Sequence, residues 1–157
     1  ILMIKLFISD FDGVFTNNKV LINQFGQETV LCDRADGIGI NKLLTTGVDF
    51  IVCSSEENPC AKHRAEKIGF EAFLGIKDKG KFVKDYLLKA KLKKSQVAFL
   101  GNDINDLPAF KEVGYSIAVV DAFPEVLSKA DFILKSDGGN AAVREACELI
   151  IKINREQ

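Results

Sequence analysis

Short apolar runs alternate along this chain with stretches of helical periodicity. Residues 4–9 are β-branched and aromatic and predict a strand. Residues 19–23 and 28–32, set about Gln24-Phe25-Gly26-Gln27, predict a β-hairpin. A helix is predicted over 36–46, with Ile38, Leu43 and Leu44 on its apolar side and a stop at Gly47. Residues 48–53 are continuously apolar, as a parallel strand buried on both faces requires. Pro59 suits the first turn of a helix over 61–68. A short strand at 71–73 precedes a helix over 79–91, and 97–100, 116–120 and 132–134 complete the strands. Residues 141–153 form a last amphipathic helix. Strands that alternate with helices predict an α/β fold, a doubly wound parallel sheet covered on both sides. With no repeat and no low-complexity linker, one domain spanning 1–157 is expected.

Composition narrows the function classes. Lys and Arg are interleaved with acids to a net charge of −1, which points away from nucleic acid and membrane surfaces. No apolar run approaches the roughly 20 residues that span a bilayer. The apolar start carries Lys5 and runs straight into an acidic motif, unlike a signal peptide. The chain opens on Ile1 rather than Met, so a preceding domain stays open. Cys32, Cys53, Cys60 and Cys147 share no repeating spacing and read as small apolar residues in a reducing cytoplasm. Cys60 and His63 are three apart on a helix, but no second pair completes four metal ligands.

The candidate chemistry begins where the first strand ends, at Asp10-Phe11-Asp12-Gly13-Val14-Phe15-Thr16. Carboxylates at i and i+2 share a face of a strand and repel unless a cation lies between them or one keeps its proton. Gly13 permits a sharp turn, which puts both at the carboxyl end of a strand, where α/β sheets place their chemistry. Asp and Gly are also ordinary turn residues, so this match is weak alone. Three further signals each follow a predicted strand. Ser54 and Ser55 offer hydroxyls and backbone N–H groups to phosphate oxygens, and Lys79 opens a helix with an ammonium in reach. Gly101-Asn102-Asp103-Ile104-Asn105-Asp106 offers oxygen ligands of the kind Mg2+ prefers, or else a loop and helix cap. Phosphoryl transfer needs such parts: a nucleophile, positive charge around the equatorial oxygens and a proton for the leaving group.

The four segments resemble the motifs of the haloacid dehalogenase superfamily, the first being its D-x-D-G-x-x-T. More narrowly, the chain is similar to short, cap-less phosphatases acting on eight- and nine-carbon 2-keto-3-deoxy sugar acids. These are the 3-deoxy-manno-octulosonate 8-phosphate phosphatases, their 2-keto-3-deoxynononate 9-phosphate relatives, and the related C-terminal domain of animal CMP-sialic acid synthetases. The likeness extends to the hairpin, to Arg34-Ala35-Asp36-Gly37-Ile38-Gly39-Ile40, and to Gly138-Gly139-Asn140-Ala141-Ala142-Val143-Arg144-Glu145. The resemblance implies a Rossmann-like core with a hairpin flap over about 19–32 and no cap domain. It implies Asp10 as nucleophile, Asp12 as acid and base with its carbonyl on Mg2+, and Lys79 as a charge partner. Thr16, Ser54 and Ser55 would support the phosphate, and Asp10, Asp12, Asn102 and Asp103 would hold the metal.

The chain departs from the family pattern in two respects, its metal site and its substrate residues. Asn102 stands where Asp is usual; its amide oxygen can coordinate Mg2+ but brings no charge. Ser54-Ser55-Glu56 stands where octulosonate phosphatases read T-G-R, and Asn140 where they tend to have Arg. Glu56 with Arg64 and Lys67, three apart on one helix face, resembles the nononate branch. There the cationic pair would receive the sugar carboxylate, and Glu56 would accept sugar hydroxyls. As ordinary exposed helix charges the three would have no such part.

Two other classes compete with the Mg2+-dependent phosphatase. A weakly active domain serving mainly as an oligomerisation module beside a sugar-acid cytidylyltransferase would explain Asn102 and the non-Met start, but not the intact Asp10 and Asp12. A phospho-accepting receiver domain would leave the C-terminal segment unexplained. The hairpin carries Val20, Leu21, Ile22, Phe25, Val30 and Leu31, a large apolar surface for a protruding element. A homotetramer with shared active sites is therefore expected, as the resembling family has.

Overall fold

The computed structural model describes residues 3–157. Strand β1 (Leu6–Ser9) is wholly buried and forms the middle of a six-stranded parallel sheet. The others are β4 (Asp49–Cys53), β5 (Glu71–Phe73), β6 (Val97–Gly101), β7 (Tyr115–Ala118) and β8 (Phe132–Ile133). Their order is β5-β4-β1-β6-β7-β8, so the chain leaves β1 to one side and later returns on its other side. Ser9 registers with Val52 of β4 and with Leu100 of β6. A crevice at the carboxyl ends is the consequence, and Asp10 stands in it.

The helices follow the predicted positions closely: α1 (Arg34–Thr45), α2 (Cys60–Ile68), α3 (Lys79–Ala90) and α6 (Ala142–Arg155). Two short ones, α4 (Leu107–Phe110) and α5 (Pro124–Leu127), were not anticipated, and each starts with a proline in its first turn. In α1 the buried residues are Asp36, Gly37, Gly39, Ile40 and Leu43, whereas Ile38 is exposed. Ile38 lies about 200° around the helix from Ile40 and cannot share its face. This corrects the predicted apolar side. Helix α1 packs on α6, and α3 packs on α4.

The hairpin exists but is smaller than predicted. Strand β2 (Leu21–Ile22) pairs antiparallel with β3 (Glu28–Thr29) in a separate two-stranded sheet. Asn23 closes the turn, its Oδ1 accepting from Phe25 N at 2.9 Å and Gln27 N at 3.1 Å. Leu21, Phe25 and Leu31 are 73%, 78% and 79% exposed. In the loop that follows β1 the pattern inverts: Phe11 and Phe15 are buried and stack with ring centroids 5.1 Å apart. Those two rings tie the loop into the core while Asp10 and Asp12 turn outward.

Candidate active site

Asp10 is almost wholly buried, and its two oxygens have different neighbours. Oδ1 accepts from Phe11 N at 2.7 Å and pairs with Lys79 Nζ at 2.9 Å. Lys79 opens α3 behind Asp78, whose side chain accepts from Lys81 N at 2.9 Å. Its ammonium also meets Asp106 Oδ1 at 2.7 Å. The other Asp106 oxygen accepts from Asn102 N at 2.9 Å and Asp103 N at 3.3 Å. One lysine between two carboxylates is a buried ion triad, and the pair raises the Lys79 pKa against the opposing effect of burial. Burial and the Asp106 charge push Asp10 up to about 8, against the pull of Lys79.

Asp10 Oδ2 faces Asn102. With the Asn102 oxygen turned inward, Oδ1 lies 2.9 Å from Asp10 Oδ2 and 3.1 Å from Asp12 O, three oxygens gathered at one point. Ligands at neighbouring corners of an octahedral Mg2+ shell lie about 2.9–3.0 Å apart, because each bond is about 2.0–2.1 Å. The set therefore fits a hard divalent cation. Turned the other way, the same amide donates from Nδ2 to both oxygens and closes the gap. One carboxylate, one carbonyl and one amide make the set; among the described residues no three His, Cys, Asp or Glu side chains gather as a metal cluster.

Asp12 is half buried beside this group, and its carboxyl is pushed up, chiefly by burial and then by Glu56. The rise favours the protonated form of Asp12, the direction a general acid needs. Asp10, Asp12, Ser54, Ser55, Glu56, Asn102 and Asp103 all line one cleft of about 350 Å³. Ser54 Oγ accepts from Glu56 N at 3.2 Å, and Asp103 caps the following turn through Ile104 N at 2.7 Å. Thr16 does not reach the cleft. It is buried, and its Oγ1 accepts from Gly13 N at 3.1 Å and Asn18 N at 3.2 Å, which holds the loop in shape.

Arg64 and Lys67 are not in the cleft. They line a hollow of about 450 Å³ with Arg34 and His63 on the far side of Glu28 and Cys60. A smaller cavity of about 150 Å³ lies between, sharing Asp12, Ser54 and Glu56 with the cleft and Glu28 and Cys60 with the hollow. The three are neighbours that share lining residues.

Sequence reading left out three contributors. Asp106 lies in the segment read for metal oxygens, yet both its oxygens are taken, one by Lys79 and one by the Asn102 and Asp103 amides. Asn105 Nδ2 donates to Ser55 Oγ at 3.1 Å and ties the loops after β4 and β6 across the cleft. Glu28 Oε2 accepts from Asn58 Nδ2 at 2.8 Å and fastens the hairpin to the loop before α2. The last two are tertiary contacts between residues 50 and 30 apart, which no local pattern carries. The thiols take no part: all four cysteines are free, Cys53 is pushed up to about 12 by burial and Cys32 up to about 11.

A six-stranded parallel sheet with a buried Asp–Lys–Asp triad and oxygen ligands at its carboxyl edge defines a phosphoryl-transfer hydrolase. The haloacid dehalogenase-like hydrolase profile matches residues 70–146. The 3-deoxy-D-manno-octulosonate 8-phosphate phosphatase of Yersinia pestis is 34% identical over 149 residues, 94% of this chain and 80% of that protein. Its counterpart from Moraxella catarrhalis, solved with magnesium, phosphate and a KDO molecule, superposes with a TM-score of 0.93 at 31% identity, over 98% of this chain and 89% of that one. The cobalt-bound enzyme from Haemophilus influenzae gives 0.92 at 32% identity, over 98% and 90%. The chain belongs to the haloacid dehalogenase-like hydrolases, in the branch that holds the octulosonate phosphate phosphatases.

Proposed function

We propose that this phosphatase hydrolyses the phosphomonoester of a 2-keto-3-deoxy sugar acid through an aspartyl-phosphate on Asp10. One observation carries the reading: Asp10 Oδ1 is held by Phe11 N and Lys79, which leaves Oδ2 facing the cleft beside the oxygens of Asn102 and Asp12. The Asp10 carboxylate attacks phosphorus as the bond to the ester oxygen breaks, and Asp12 gives its proton to the leaving alkoxide. Asp12 then takes a proton from water, whose oxygen attacks phosphorus, and the bond between phosphorus and Asp10 breaks to release inorganic phosphate. Asp10, the Asp12 carbonyl and Asn102 would hold Mg2+, which supplies positive charge opposite the phosphoryl oxygens. Lys79 offsets the remaining charge, and Ser54 and Ser55 border the place the phosphate takes.

The relatives' activity on an octulosonate phosphate supports the sugar-acid class, and the row of cleft, cavity and hollow along one side supports a long substrate. With phosphate at Asp10, the sugar runs past Glu56 and Glu28, and its carboxylate reaches the hollow of Arg34, Arg64 and Lys67. Glu56 and this cationic group favour the nine-carbon 9-phosphate over the eight-carbon 8-phosphate. Phosphate release from the two esters under Mg2+, compared as kcat/KM, tests both steps of the reading. No release from either would end the sugar-acid assignment, and a clear preference for the octulosonate ester would end the nine-carbon one.

The exposed hairpin supports assembly as a homotetramer in which neighbouring flaps bury one another and cover the clefts. Light scattering at micromolar concentration tests it; a fully active monomer is the contrary result.

A further inference from the structure

Asp36 is wholly buried in the first turn of α1, and no step described so far uses it. Its Oδ1 accepts from Arg144 N at 3.0 Å, in the first turn of α6, 108 residues away. Its Oδ2 has no partner. A buried polar atom left unpaired costs about 1–3 kcal/mol, more for a charged group, so the position calls for a reason. The reason is at the start of α6. Ala141 precedes that helix in the left-handed region at φ 59°, unusual for a residue with a side chain, and offers no side-chain cap. The first turn of α6 is therefore capped from another helix.

The segment just before α6 lies against the nucleophile loop. Gly139 N donates to Val14 O at 2.9 Å. A Cβ on Gly138 would fall on the Gly13 carbonyl oxygen, and one on Gly139 would lie 2.5 Å from Asn17 N. The two backbones meet with no room for a side chain. Around them Glu145 accepts from Lys135 N and Ser136 N at 2.8 and 2.9 Å, and Asp121 Oδ1 accepts from Gly138 N at 2.9 Å. What this braced segment presses on is Gly13, bonded directly to the Asp12 carbonyl. Two locally costly features, an orphaned carboxylate oxygen and a left-handed alanine, thus meet at one joint behind the catalytic loop.

We infer that Asp36 is a positioning residue: by capping α6 it seats Gly138-Gly139 against Gly13 and so fixes Asp12. The inference rests on the reading of Asp12 given above. Asp36→Asn keeps an accepting oxygen and the size, Asp36→Ala removes both, and Gly139→Ala disturbs the contact from the other side. p-Nitrophenyl phosphate serves as substrate, so the result does not depend on the natural sugar. Mg2+ demand is also read from the rise in Tm that Mg2+ gives, which needs no turnover.

Asp36→Asn is expected within about threefold of wild type, whereas Asp36→Ala and Gly139→Ala each raise half-saturating Mg2+ about tenfold by both readouts and lower kcat similarly. The double variant loses no more than the worse single one, because both break one linkage. A folded Asp36→Ala with wild-type kcat and Mg2+ demand would overturn the inference, as would effects that multiply in the double variant. If Asp36→Ala does not fold, Gly139→Ala decides, and an unchanged Mg2+ half-saturation refutes the linkage. A wild type that gains Tm with Mg2+ yet releases no phosphate speaks against the proposed reaction instead, and the Tm readout then decides the linkage alone.

Discussion

Lys79 Nζ lies 2.7 Å from Asp106 Oδ1, with both side chains closed to solvent, and only the cleft side of the triad, at Asp10, approaches water. Removing one member of a buried ion group leaves the others uncompensated. Lys79→Met should therefore lower the free energy of unfolding by about 3–5 kcal/mol and abolish turnover. Adding Asp106→Asn should return part of the stability and none of the activity. Urea unfolding of the single and double variants checks this.

Asp10→Asn should end phosphate release and spare the fold. Lys79 keeps Asp106 as its partner, and burial already opposes charge at position 10. The expected loss of stability is below about 1 kcal/mol, or a small gain. Phosphate assays under saturating Mg2+, with Tm measured alongside, decide; wild-type turnover would remove Asp10 from its role.

Asn102→Asp should move metal demand and metal-free stability in opposite directions. A charged oxygen beside Asp10 Oδ2 and Asp12 O strengthens cation binding, so half-maximal activity comes at lower Mg2+. Without Mg2+ the carboxylate cannot turn a donor toward those oxygens as the amide can, so Tm in a chelator should fall. Activity against Mg2+ concentration and Tm with and without chelator report both. An unchanged Mg2+ demand would place the ligand elsewhere, at Asp103.

The stability of the protein should carry the signature of Asp36. Burial pushes its carboxyl up to about 7, while an unfolded chain titrates near about 3.9. The folded form thus keeps a proton that the unfolded chain has released. That contribution is fully present below about pH 4, declines as pH rises, and is gone above about pH 7. Asp36→Asn has no such proton. Wild-type stability relative to this variant should fall by on the order of 3–4 kcal/mol between pH 4 and 8. Urea midpoints at both ends show it; a flat difference would mean that Asp36 is ionised throughout.

Much of this architecture is visible in the chain because its signals are local. The continuous apolar character of 48–53 marks β4 as an interior parallel strand, and Asp10, Ser54, Lys79 and Asn102 each follow directly on a strand or open a helix. The hairpin shows the limit of local patterning: its β-rich residues run from 19 to 32, but only two residue pairs form a ladder where no sheet lies alongside. Ile38 failed because it lies about 140° around the helix from Leu43 and about 200° from Ile40, off the face those two bury. Asp36 and Asp106 escaped because what each does depends on a partner far along the chain, Arg144 for one and Lys79 for the other.

The central position of β1 has a consequence for how the molecule can change. Ser54, Asp10 and Asn102 follow the ends of three adjacent strands, β4, β1 and β6. Neighbouring strands lie about 4.8 Å apart, a spacing set by backbone hydrogen bonds and independent of side chains. The sheet is therefore a gauge, and its graduations match the width of one phosphoryl group. The residues proposed to meet the rest of the substrate stand off that gauge, Glu28 on the hairpin, Glu56 in the loop before α2, Arg34 at the start of α1, and Arg64 and Lys67 on α2. Residues there can be exchanged to admit another alcohol while the distance between nucleophile and metal ligand stays as the backbone sets it.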